Sequence, residues 1–191
     1  SFDGSDDRLD TGEPYQSTFQ DSFTISSWIK PSEGQSLTTQ VIVGTAKYDT
    51  YSGYLFFRLE TSGALRLIHG TPTAKEFNVT SSEVFPSGAT DWVHFVAVLT
   101  KSSATTGSVT LYANGSSVGT GSSPTAGWNI ENYANTYDLF IGARNLTGTP
   151  NQFYGGQISG THIFDVALSL SEVTELYAID KRASISGHSK F

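Results

Sequence analysis

Neither cysteine nor methionine occurs among the 191 residues. Without cysteine there is no disulfide framework, no thiolate metal site and no thiol nucleophile. Without methionine there is no initiator, so the chain reads as a processed product or a piece of a longer protein. No signal-peptide pattern precedes Ser1, consistent with a targeting signal already removed. Charge is scarce: charged residues make up 15% and the net charge is -7. Nucleic acid needs a basic patch, so that partner class is set aside, and docking on anionic lipid is disfavoured. No apolar run approaches the roughly 20 residues of a membrane helix, so membrane insertion is not expected. Internal repeats and low-complexity linkers are also missing. A chain of this length fits one domain with a core of its own.

What is present is a series of short alternating strands separated by Gly, Ser, Thr, Asn and Pro. Phe23, Ile25, Ser27 and Ile29 fall on one face of the first, with Thr24, Ser26, Trp28 and Lys30 on the other. The segment 92–100 is apolar on both faces, as a strand in the middle of a sandwich must be. Further strands are read at 41–45, 54–59, 64–68, 76–79, 109–113, 117–121, 139–143 and 153–164. Glu60-Thr61-Ser62-Gly63 and Asn114-Gly115-Ser116 are hairpin turns, the second because Asn and Gly tolerate positive φ. Ser169 and Glu172 stand at capping-box spacing, which predicts one short helix over 170–178 with Val173, Leu176 and Tyr177 as its apolar stripe. The pattern predicts an all-β, antiparallel two-sheet sandwich with one short C-terminal helix. It divides into a domain over 1–179 and a tail over 180–191. Trp28 and Trp92 are expected in the fold's interior, and Trp128 in a loop.

Three stretches carry a resemblance: 2–10 with 22–30, 92–98, and 141–169 with its Gly155-Gly156-Gln157-Ile158 and Ile163-Phe164-Asp165-Val166-Ala167-Leu168-Ser169. In order and spacing they resemble the laminin-G-like, concanavalin-A-like jelly-roll family over about residues 1–177. The resemblance implies a jelly roll and a role in sugar binding or adhesion. Relatives often bind calcium through oxygen ligands. Here Asp3 and Asp6, in a cluster with Asp7 and Asp10, are the candidate ligands, and hard carboxylates suit Ca²⁺ better than zinc. The family's last strand usually carries acids where this chain has Ser159 and Gly160, so part of that ligand set is missing.

Catalysis finds little support. Some relatives hydrolyse β-glucans with acids on alternate positions of one strand, which places them on one face. No two acidic residues lie two apart in this chain, and there is no Gly-x-Ser-x-Gly elbow. His94 reads as a core-edge imidazole and His162 as a surface residue. No catalytic residue is assigned.

Sugar recognition needs flat aromatic faces beside short polar groups. Two segments combine them, 47–54 and 128–138. The candidate ligand-binding residues are Tyr48, Asp49, Tyr51, Trp128, Asn129, Asn132 and Tyr133, while Tyr54 and Tyr137 border strands. The leading expectation is a non-catalytic glycan-binding or adhesion module on a secreted, cell-surface or virion-surface particle. The alternative is a structural or assembly domain, such as a capsid-decorating or fibre domain, with a protein partner or homo-oligomer. A glycoside hydrolase or lyase ranks third.

Overall fold

The computed structural model describes residues 1–34, 36, 38–46, 54–70, 77–122 and 129–186. Alternation produces β3 (Phe23–Pro31), β4 (Gln40–Ala46), β5 (Tyr54–Leu59), β6 (Ala64–Gly70) and β7 (Phe77–Glu83). It continues in β8 (Val93–Ser103), β9 (Thr106–Ala113), β10 (Ser116–Ser122) and β14 (Gly155–Phe164). Short strands fill in: β1 (Phe2–Asp3), β2 (Leu9–Asp10), β11 (Phe140–Ile141), β12 (Arg144–Leu146) and β13 (Thr149–Asn151). Among the described residues two 3-10 turns lie at Thr18–Gln20 and Ile130–Asn132, and one helix, α1, at Leu170–Ser186.

The strands form two sheets. The first runs β1-β14-β3-β8-β9-β10 and the second β13-β12-β4-β5-β6-β7, with β11 beside β4 and β2. Pairing is antiparallel throughout the described strands except between β12 and β4. This is the two-sheet sandwich the pattern predicted. Its core lies between the sheets, where Phe57 and Phe95 stack with ring centroids 3.9 Å apart.

The doubly apolar β8 has a physical explanation in two layers. Phe95, Ala97 and Leu99 face the core, whereas Val96 and Val98 face α1 and pack on its Val173. Ser169 caps α1: its N–H donates to Glu172 Oε2 at 2.7 Å, and Glu172 N–H returns to Ser169 Oγ at 3.4 Å. That contact holds the Glu172 carboxyl below its ordinary pKa. The helix then runs to Ser186, beyond the expected end at 178, so it enters the stretch read as a tail. Its Tyr177 lies over Trp28 and His94, with centroids 5.7 and 5.8 Å away. His94 is fully buried, its Nε2 2.7 Å from Ser26 Oγ, which agrees with a structural imidazole. His162 is exposed, as expected.

Most strand boundaries move by a few residues, and two of the shifts have a local cause or consequence. β11 is only two residues long because Gly142 turns the chain at φ 84°. β14 starts at Gly155 rather than 153. Trp92 is a correction: it is 39% exposed, not interior. The last β3–β8 pair is Ile29 with Val93, so Trp92 stands one residue outside the sheet. The hairpin at Asn114-Gly115 forms as read, with φ 51° and 78°. At the other edge β10 lies close against β7. A Cβ on Gly121 would come within 2.5 Å of Val79 Cγ2, so that approach requires glycine.

Candidate functional site: one rim of the sandwich

β4 ends at Ala46 and β5 begins at Tyr54, so the 47–53 connection leaves from one end of the second sheet. The 129–138 segment arrives at the same end. Asn135 Nδ2 donates to Thr45 Oγ1 at 3.0 Å, and Thr45 Oγ1 donates to the Tyr137 carbonyl at 3.0 Å. Thr147 N–H donates to the Ala46 carbonyl at 2.9 Å, bringing the β12–β13 turn alongside. The ends of β4 and β5, the 129–138 segment and the β12–β13 turn therefore share one rim.

Tyr48, Asp49, Tyr51 and Trp128 lie outside the described residues. Asn129 and Asn132 are on the rim. Asn129 Oδ1 accepts from Glu131 N–H at 2.9 Å and so starts the 3-10 turn, while the Asn132 side is exposed. Asn135 is buried because its amide links Thr45 to the Tyr137 N–H, which it accepts at 2.9 Å.

Tyr133 is a correction. As a candidate ligand-binding residue it is expected at the surface, but it is 0% exposed. Its ring meets Phe19 edge-on at 5.7 Å and stacks on His69 at 5.1 Å. The 3-10 turn reverses the chain and drives this ring inward, while Asn132 stays outside. Burial pushes the Tyr133 hydroxyl well above its ordinary pKa. His69, beneath it, is lowered to about 4 by burial, and its Nε2–H donates to the Phe19 carbonyl at 2.8 Å.

The turn is also held from below. Gln20 Nε2 donates to the Tyr133 carbonyl at 2.6 Å. Lys101 Nζ reaches Glu131 Oε1 at 2.8 Å, the Gln20 carbonyl at 3.4 Å and Asp21 Oδ2 at 3.9 Å. The Glu131 carboxylate raises the Lys101 pKa.

The β5–β6 hairpin carries a second polar group. Arg58 and Arg66 stand directly opposite each other in the β5–β6 register. Arg66 Nη1 meets Glu60 Oε1 at 3.1 Å, and its Nε donates to Asn78 Oδ1 at 2.6 Å. The signal was available: the recognised Glu60–Gly63 turn fixes which residues oppose each other.

At the end of the sandwich away from the rim, Asp3, Asp6 and Asp7 are exposed and offer carboxylate oxygens within 4.8 Å of one another. Asp3 Oδ1 accepts from Ser5 N–H at 2.7 Å, and Asp7 Oδ2 accepts from Asp3 N–H at 2.9 Å. Each carboxylate keeps an oxygen outside these contacts, and an all-oxygen set suits a hard cation. Asp10 is not in this group; its Oδ1 accepts from Gly12 N–H at 2.9 Å.

Residues 3–174 match the family model described as the concanavalin A-like lectin/glucanases superfamily. Among solved structures, the chain is similar to the Ruminococcus gnavus IT-sialidase CBM40, with 14% identity, a TM-score of 0.72, and 93% of this chain and 94% of that chain covered. The same module bound to α2,3 sialyllactose is matched at 15% identity and TM-score 0.69, over 89% of this chain and 91% of that one. The NanB sialidase of Streptococcus pneumoniae is matched at 19% identity and TM-score 0.67; there 92% of this chain covers 27% of the other. No curated protein matches the chain in sequence. At these identities the structural likeness concerns the fold.

Proposed function

Because the chain belongs to the concanavalin A-like lectin/glucanase superfamily, we propose that it is a non-catalytic glycan-binding module whose site is the rim described above. The observation that carries this reading is the Asn135–Thr45–Tyr137 link, which seats the Asn-rich 129–138 segment on the end of β4, where the chain leads on to Tyr48 and Tyr51. Tyr48, Tyr51 and Trp128 then supply flat faces for sugar C–H surfaces, and Asp49, Asn129 and Asn132 supply partners for hydroxyls. The solved R. gnavus module is bound to sialyllactose, a carboxylate-bearing trisaccharide. That bound ligand makes sialylated saccharides the class to test first. Low charge and abundant Ser, Thr and Gly suit display on a secreted, cell-surface or virion-surface particle.

Asp3, Asp6 and Asp7 would hold a calcium ion, whose charge would relieve the repulsion among them. A glycan array on the purified domain, run with and without chelator, tests these points together. Retention of sialylated glycans, weakened by Tyr51→Ala with Trp128→Ala, is expected. Absence of any glycan ligand would return first place to the assembly role, and chelator-insensitive retention with no thermal shift on adding Ca²⁺ would remove the calcium assignment.

A further inference from the structure

We propose that Lys101 is a positioning residue for this rim: from β8, it clamps the turn that presents Asn129 and Asn132. The inference rests on the rim being the glycan site. Lys101 leaves the end of β8 and bridges two segments remote in sequence. One is the 3-10 turn at Thr18–Gln20, through the Gln20 carbonyl and Asp21; the other is the turn at Ile130–Asn132, through Glu131. The ammonium end is well placed for this, since the Lys101 side chain is 15% exposed while Glu131 is 54% exposed. Gln20 completes the bracket by holding the Tyr133 carbonyl, and Ile130 N–H donates to the Ala104 carbonyl at 3.0 Å in the β8–β9 turn.

This is more support than a three-residue turn needs for its own shape. Its internal bonds, Asn132 N–H to Asn129 and Tyr133 N–H to Ile130, already define it. The bracket instead fixes where the turn sits relative to β8 and the Thr18–Gln20 turn. A weak sugar site gains from such fixing, because any fraction of time the turn spends displaced lowers apparent affinity in proportion. The clamp is partly electrostatic, so it weakens with salt even if the ligand is neutral.

The test compares wild type with Lys101→Met, Lys101→Arg and Glu131→Gln. Two readouts are used: calorimetric titration with α2,3-sialyllactose, and amide hydrogen exchange at 130–133 without ligand. Lys101→Met is expected to raise Kd about fivefold, as for a turn seated one fifth of the time. Exchange at Asn132 and Tyr133 should quicken, while Tm moves by less than about 4 °C. Lys101→Arg should restore both readouts, and Glu131→Gln, at the exposed end, should reproduce the defect should Lys101→Met fold poorly. Unchanged Kd and unchanged exchange in Lys101→Met and Glu131→Gln would overturn the clamp alone. Wild-type protein that fails to bind sialyllactose or any other glycan overturns the glycan reading, and this inference with it.

Discussion

Tyr133 and Asn132 are neighbours with opposite fates, and the contrast has measurable consequences. Tyr133→Ala removes a buried ring packed on Phe19 and His69 and should cost about 3–5 kcal/mol. Asn132→Ala removes an exposed amide and should leave stability within about 0.5 kcal/mol while weakening glycan retention. Urea unfolding of both variants checks this; equal losses would mean that the ring is not buried. His69 gives a pH signature. Its folded pKa of about 4 lies below the ordinary value of 6.5, so the unfolded chain binds the extra proton first as pH falls. The stabilising contribution is complete above about pH 6.5 and is lost progressively down to about pH 4, on the order of a few kcal/mol in all. Thermal melts across that window should show a steeper decline in wild type than in His69→Gln.

At the scale of elements, α1 and the first sheet form a layer of their own. Val173 packs on Val96 and Val98, and Tyr177 lies on Trp28 and His94. Trp28→Ala should therefore destabilise strongly, by about 3–5 kcal/mol, whereas Trp92→Ala should cost much less because that ring stands at the sheet's end, 39% exposed. Comparable losses in melting temperature would contradict the layering. The helix start offers a finer probe. Ser169→Ala removes the capping box and should cost about 1 kcal/mol. The same variant would leave the rim untouched, since α1 covers the first sheet and the rim lies at the end of the second. Retention of glycan by Ser169→Ala with lowered stability is the expected pattern.

For the whole molecule, the proposed site is small and at one end, so a single module should bind in the range of about 10⁻³ to 10⁻⁴ M, or roughly 4–6 kcal/mol. Useful attachment then needs several modules, since linked sites raise avidity by roughly 10²–10⁴-fold without new contacts. A tandem or particle-displayed form should hold a sialylated surface that a monomer releases; surface plasmon resonance at matched module concentration measures the difference. Equal retention by monomer and multimer would show that a single site suffices.

The strands, the two hairpin turns, the capping box and the sandwich class were determined by local chemistry: alternation, positive-φ residues and side-chain caps act within a few residues. The resemblance and the family model extended this to the topology. The candidate site was only partly legible. That residues 128–138 are rich in Asn, Tyr and Trp is plain in the sequence, but not which ring points inward, because a 3-10 turn pinned by Lys101 and Gln20 sets the direction. Trp92 shows the same limit: its strand was recognised, yet where pairing stops depends on β3, more than sixty residues earlier. The Arg58–Arg66 pair lay within reach, since a hairpin register follows from its turn. The seating of the 129–138 segment on the end of β4 was decided by tertiary structure alone, because Thr45 and Asn135 are 90 residues apart and meet only through the pairing of β11 with β4.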